Sequence, residues 1–97
     1  MNIYIACELN SLEKKIIKNN LKKHNLYFSK LRFKKIADKN FLKCEIVFGN
    51  IPSEWVKQSS KIKWIQLEST GFAEYFEVKK NLLNRNVIIT NLKSFFA

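Results

Sequence analysis

The sequence predicts an α/β fold in which a parallel five-stranded sheet carries helices on both faces, formed by residues 1–97 as one domain. Short apolar runs alternate with amphipathic segments along the whole chain, a pattern typical of parallel sheets joined by helical crossovers. Only two glycines and one proline occur, too few for an all-β fold with many tight turns. At 97 residues there is room for a single, thin core.

The first unit is a strand followed by a helix. Residues 3–7 (IYIAC) form a short apolar run that is typical of a buried parallel strand. Asn10 and Glu13 have the spacing of a helix N-terminal capping pair. Behind them, four apolar side chains fall on one helical face and lysines fall on the other; the apolar ones are Leu12, Ile16, Ile17 and Leu21.

The rest of the chain repeats this alternation. An irregular extended stretch at 26–33 precedes a strand at 44–48, which Gly49 and Asn50 close as a turn. Further elements are predicted in chain order: a short helix at 52–59, a strand at 62–67, a helix at 72–83 and a β-branched strand at 87–90. Right-handed crossovers favour a flavodoxin-like sheet of order 2-1-3-4-5.

The charge is strongly positive, with 18 Lys+Arg against 8 Asp+Glu and a net charge of +10. Such a charge can attract nucleic acid or an anionic membrane. Only Arg32 and Arg85 are arginines, however, and base-reading surfaces depend on the planar guanidinium, so nucleic-acid recognition is disfavoured. The sequence has no apolar run long enough for a membrane span and no pattern of a secretory signal, which favours the cytoplasm.

Few residues suggest chemistry by themselves. Cys7 and Cys44 are too far apart in sequence for a metal site, and we interpret them as reduced, buried thiols; a redox pair between neighbouring strands is the less favoured alternative. His24 ends a lysine-rich helix, and we interpret it as a surface residue. The Trp and Phe side chains are interpreted as packing residues in preference to a base-stacking platform.

Three ordered blocks in the second half carry a resemblance to a known family. They are residues 45–49 (EIVFG), residues 62–72 (IKWIQLESTGF) and residues 87–91 (VIITN). Their order and spacing resemble the substrate domain of the D-isomer-specific 2-hydroxyacid dehydrogenases. The resemblance implies interconversion of 2-keto acids and D-2-hydroxy acids with NAD(P) as cofactor, and a cytoplasmic oxidoreductase of two domains.

The resemblance also implies a substrate site. In the family, the loop after the fourth strand donates backbone amides to the substrate carboxylate, a role that falls here on Ser69, Thr70 and Gly71. The loop after the fifth strand faces the same cleft, which adds Ser94 and Phe95. Two departures stand out: an Asp of the family is replaced by Glu74, and the turn after Asn91 reads Leu-Lys-Ser in place of a Pro or Gly turn.

The chain lacks the cofactor machinery that the resemblance implies. With Gly49 and Gly71 as its two glycines, it contains no GxGxxG turn, and no residue matches the family's catalytic Arg, acidic residue or His. We therefore expect an N-terminal, truncated portion of the substrate domain that is inactive alone and whose uncovered apolar surface favours a homodimer. The alternative is a small basic flavodoxin-like module that binds a protein or nucleic-acid partner.

Overall fold

A computed structural model describes residues 1–68, Tyr75 and 78–90. The strands are β1 (Asn2–Ile5), β2 (Asn25–Phe28), β3 (Ile46–Phe48), β4 (Trp64–Gln66) and β5 (Ile88–Thr90). The helices are α1 (Ser11–Asn20), α2 (Ser53–Gln58) and α3 (Lys79–Asn84), and a 3-10 turn spans Phe41–Lys43. The predicted alternation is confirmed except between β2 and β3, which are joined by a loop and the 3-10 turn. Of the helix predicted at 72–83, α3 contains the end, and residues 72–74, 76 and 77 lie outside the described residues.

All five strands are parallel and form one sheet in the order β2-β1-β3-β4-β5. The predicted flavodoxin-like order is therefore confirmed. The chain first adds β2 on one side of β1 and then crosses to place β3 on the other side, so the direction of winding reverses between β1 and β3. In sheets of this kind, ligands bind beyond the carboxyl ends of the strands at that point.

The predicted helix start at Asn10 is also confirmed. The Asn10 side chain accepts a hydrogen bond from the Glu13 N–H at 2.8 Å, and the Glu13 carboxylate accepts one from the Asn10 N–H at 3.0 Å. This reciprocal capping satisfies two amides that would otherwise lack partners at the start of α1.

The extended stretch predicted at 26–33 is shorter than expected. It ends as β2 at Phe28, and Leu31 adopts a left-handed conformation with φ of 59°. A left-handed residue is incompatible with a strand. Residues 30–36 are all exposed and form no regular secondary structure, so the apolar residues of this stretch do not extend the sheet.

Most of the core lies on one face of the sheet. The central row of this core face is formed by Tyr4, Val47 and Ile65, which are fully buried, with Tyr27 and Ile89 at its ends. Trp55 and Val56 of α2, Leu82 of α3 and Phe41 pack against it. This is where helix and sheet exclude water, so it is where apolar burial stabilises the fold most.

The opposite, second face is covered incompletely. Two rows of side chains point to it, one being Ile3, Leu26, Ile46, Trp64 and Ile88, the other Ile5, Phe28, Phe48, Gln66 and Thr90. Ile3 and Ile5 at the centre are buried, whereas Ile88 is 60% exposed. Helix α1 lies on this face but buries none of its own residues, and Leu12 and Ile16 are exposed. Helices thus occupy both faces, and apolar side chains of β3, β4 and β5 on the second face stay partly exposed.

None of the helices in the described part of the chain combines the length and the hydropathy that crossing a bilayer requires.

Candidate functional site

A cleft of about 320 Å³ opens at the carboxyl ends of β1, β3 and β4, where the winding of the sheet reverses. Its apolar wall comes from the second face and from α1, through Ile5, Phe48 and Ile17. Cys7, Gln66 and Glu68 also belong to the lining, but the surface that the lining presents to the cleft is almost entirely apolar. We call it the switch-point cleft. Its position is the one where doubly wound sheets bind ligands.

Gly49 lines the cleft and allows the ends of β1 and β3 to approach closely. Its φ is 119°, a conformation that residues with a side chain rarely adopt, and a Cβ there would lie 2.5 Å from the Ala6 carbonyl oxygen. Its N–H donates to the Gln66 carbonyl at 2.8 Å, while the Ala6 N–H donates to the Phe48 carbonyl at 2.7 Å. The sequence indicated only a turn at Gly49, and its role in bringing β1, β3 and β4 together was not predicted.

The two backbone amides that follow β4 already have partners. The Leu67 N–H donates to the Thr90 carbonyl, and the Glu68 N–H donates to the Asn50 side-chain oxygen, both at 2.8 Å. An anion would therefore have to be held by amides other than these. The predicted carboxylate-binding residues Ser69, Thr70 and Gly71 lie outside the described residues, and so do Ser94 and Phe95.

A polar network joins the ends of β4 and β5. The Trp64 indole N–H donates to the Thr90 hydroxyl oxygen at 2.8 Å, and that hydroxyl donates to the Gln66 side-chain oxygen. The network orients the Gln66 side chain at the cleft, and it satisfies a tryptophan that stands half-buried on the second face. No sequence motif indicated it, because the partners are 24 and 26 residues apart.

Cys7 lies beyond the end of β1 and is half-buried, in contrast to the expected buried strand position. Its sulfur lies 3.4 Å from the Phe48 carbonyl oxygen. Burial raises the pKa of the Cys7 thiol to about 12, and the neighbouring Glu68 carboxylate contributes to the rise. Because a thiolate is the reactive form of cysteine, Cys7 is a weak nucleophile at neutral pH.

Cys44 is buried at the opposite end of the sheet, just before β3. Ile5 pairs with Phe48 in the β1–β3 register, so Cys7 and Cys44 are offset by six strand positions, roughly 20 Å. That distance rules out a disulfide between them in this fold. Burial also raises the pKa of the Cys44 thiol to about 12.

We expect both thiols to resist alkylation in the native state. With pKa values of about 12 against 9.0 for an ordinary thiol, the thiolate fraction at pH 8 falls, and the reaction with iodoacetamide should be at least ~100-fold slower than after unfolding in urea. Folding raises both thiol pKa values, so the folded state favours the neutral thiols. Their contribution to the free energy of unfolding should therefore be fully present below pH 9 and should be lost as the pH rises from about 9 to 12. Fast labelling of Cys44 in the folded chain would contradict its burial.

The turn between β1 and α1 lacks the glycine pattern by which doubly wound sheets bind the pyrophosphate of a dinucleotide. It reads Ala-Cys-Glu-Leu-Asn and has no glycine, so the backbone lacks the tight turn that lets a pyrophosphate approach a helix N-terminus. The start of α1 is already capped by Asn10 and carries the Glu13 carboxylate, which would repel phosphate. Within the described residues no group of three or more His, Cys, Asp or Glu side chains could hold a metal ion.

The other residues singled out in the sequence lie at the surface or in packed aromatic pairs. His24 is exposed in the turn that follows α1, as predicted. Trp55 and Phe41 are buried in the core, and their ring centroids lie 5.5 Å apart, which confirms packing for these two. Phe48 and Trp64 are half-buried on the second face, with ring centroids 6.0 Å apart.

Searches against models of protein families, curated protein sequences and solved structures found no match.

Proposed function

We propose that this chain is the substrate-domain portion of a D-2-hydroxyacid dehydrogenase, which interconverts 2-keto acids and D-2-hydroxy acids with NAD(P). The proposal is carried by one juxtaposition: the family-like block at 62–72 runs through β4 into the switch-point cleft, through Gln66, Leu67 and Glu68. The next three residues are the Ser-Thr-Gly triplet for which the resemblance implies carboxylate binding.

The chain would contribute substrate binding and not hydride transfer. Its β1–α1 turn does not suit a dinucleotide, so the nicotinamide would have to be held by a separate domain across the cleft, as the resemblance implies. The Glu68 carboxylate at the cleft disfavours an anion in contact with it. The substrate carboxylate would therefore lie beyond Glu68, on the backbone amides of 69–71.

The open second face supports a further contact in the assembled enzyme. Apolar side chains on β3, β4 and β5 are left partly exposed, whereas parallel sheets are ordinarily covered on both faces. We propose that the cofactor-binding remainder of the enzyme or a second copy of this chain covers them. Two thiols with no disulfide suit a cytoplasmic enzyme, which is the location we propose.

A titration followed by NMR tests this proposal. Adding glyoxylate or hydroxypyruvate to the 15N-labelled chain should shift the amide signals of Gly49, Glu68 and residues 69–71. The affinity should be in the millimolar range because the proposed cofactor domain would have to close the cleft for tight binding. Hydroxyacetone, which lacks the carboxylate, is the matched control ligand and should cause no such shifts. NADH should leave the spectrum unchanged, and no NADH oxidation should occur.

Two results would refute the proposal. One is the absence of keto-acid shifts at tens of millimolar ligand. The other is an equal response to hydroxyacetone, because it would mean that the carboxylate is not recognised.

A further inference from the structure

Residues 30–36 form an exposed segment in which cations alternate with large apolar side chains. The sequence is Lys-Leu-Arg-Phe-Lys-Lys-Ile, without an acidic residue, and all seven residues are exposed. Leu31 is 40% exposed, Phe33 is 41% exposed and Ile36 is 82% exposed. We call this segment the basic–apolar loop. It plays no part in the switch-point cleft.

The loop is fixed to the domain through its backbone. The Trp55 indole N–H donates to the Lys34 carbonyl at 2.6 Å, and the Gln58 side-chain amide donates to the Lys35 carbonyl at 2.8 Å. The Ala37 N–H in turn donates to the Gln58 side-chain oxygen at 2.9 Å. Since α2 binds these backbone groups, the side chains of Lys34, Lys35 and Ile36 are left in solvent.

The apolar residues of the loop are held differently from one another. The Phe33 ring packs edge-to-face on Trp55, with centroids 5.5 Å apart, so part of this ring is anchored in the domain. Leu31 has a φ of 59°, and its N–H donates to the Ser29 hydroxyl at 2.9 Å. Ile36 precedes the buried Ala37 and is the most exposed large apolar side chain of those described. Ile36 is thus the side chain best placed to enter an apolar environment outside the protein.

We propose that the basic–apolar loop binds the surface of an anionic phospholipid bilayer. Four cations, Lys30, Arg32, Lys34 and Lys35, would lie at the level of the negatively charged headgroups, and Ile36 with Leu31 would enter the boundary of the acyl chains. The net charge of +10 would draw the whole chain toward such a surface. This is peripheral binding and requires no membrane-spanning helix.

The chemistry of the loop favours lipid over nucleic acid. Nucleic acids and anionic membranes both attract the cations. Single-stranded nucleic acid also needs aromatic faces on which its bases stack. Here the most exposed apolar side chains, Ile36 and Leu31, are aliphatic. The one aromatic ring, Phe33, is already packed on Trp55. Aliphatic side chains between cations suit an interface that is charged outside and hydrocarbon inside.

Sedimentation with lipid vesicles tests the proposal. The chain should bind vesicles that contain one third phosphatidylglycerol and should not bind vesicles of phosphatidylcholine alone. The variant K34Q/K35Q should bind the anionic vesicles about 25-fold more weakly, since each lysine near the surface contributes roughly five-fold. The variant I36S should bind about ten-fold more weakly.

Matched variants elsewhere provide the controls. K22Q/K23Q removes two adjacent exposed lysines after α1, and I16S removes a half-exposed isoleucine of α1. Each should change vesicle binding no more than about two-fold. Circular dichroism and thermal unfolding check that all four variants stay folded.

Three results would overturn the proposal. The first is failure to bind anionic vesicles at low ionic strength, and the second is equal weakening by the loop and control variants. The third is tight binding of single-stranded RNA or duplex DNA that the loop variants abolish while vesicle binding is unaffected, which would assign the loop to nucleic acid.

Discussion

Replacing Gly49 by alanine is expected to destabilise the domain strongly, although the substitution adds only one methyl group. The backbone at Gly49 has a φ of 119°, and the new Cβ would lie 2.5 Å from the Ala6 carbonyl oxygen, inside the contact distance of two atoms. The strained backbone and the displacement of β1 from β3 together should cost about 3–5 kcal/mol. A domain of this size has a free energy of unfolding of about 5–15 kcal/mol, so G49A should lose a large share of its stability. Urea unfolding followed by circular dichroism measures the loss.

The variant N86A separates the cost of a strained backbone from the cost of a steric clash. Asn86 also has a positive φ, 56°, but it is exposed at the end of α3. N86A should lose about 1 kcal/mol, the cost of the left-handed backbone without a steric clash. Equal losses for G49A and N86A would mean that the approach of Gly49 to Ala6 does not constrain the fold.

Truncation of Trp55 to alanine is expected to have the second large effect. Trp55 is 1% exposed and contacts the rings of Tyr4 and Phe41 in the core, and it also packs against the Phe33 ring of the basic–apolar loop. Its indole N–H also holds the Lys34 carbonyl. The cavity left behind should cost about 3–5 kcal/mol, and the basic–apolar loop should lose an anchor. Thermal unfolding reports the first effect, and hydrogen exchange of the Ala37 amide reports the second.

Trp64→Ala is the matched control for Trp55→Ala. Trp64 is also a tryptophan with a hydrogen-bonded indole, but it is half-buried on the incompletely covered second face. We expect W64A to lose about 1–2 kcal/mol because less surface is buried there. A loss as large as that of W55A would contradict the assignment of the main core to the face that carries Tyr4, Val47 and Ile65.

Much of the fold could be predicted because local patterns and overall topology agree. The alternation of apolar runs with amphipathic segments predicted the parallel sheet, and the Asn10–Glu13 spacing predicted the start of α1. The extent of β2 could not be predicted, because the apolar spacing of residues 26–33 fits a strand while the left-handed conformation of Leu31 ends it. Sequence periodicity does not report such a turn when no Gly, Asn or Pro marks it.

The predicted substrate-binding residues stay a prediction, because they lie outside the described residues. The carboxyl edge of β4 was expected to bind ligand, and the switch-point cleft lies there. The roles of Gly49, Gln66 and Cys7 in that cleft were not foreseen, because they depend on which strand ends become neighbours. The sheet order β1-β3-β4 brings these three residues together from positions that are 42 and 17 residues apart in the chain.

The amino-acid order alone was sufficient for the class of fold, the strand order and the cap of the first helix, because hydrophobic periodicity, capping chemistry and crossover handedness act over short stretches or restrict topology generally. Which sheet face holds the core, and which stays open beside α1, was settled only by tertiary packing. The same is true of the exposure of residues 30–36, whose apolar side chains leave the sheet because Trp55 and Gln58 bind the backbone of that segment from a distant helix. Contacts between residues far apart in sequence decide such features, and no local pattern encodes them.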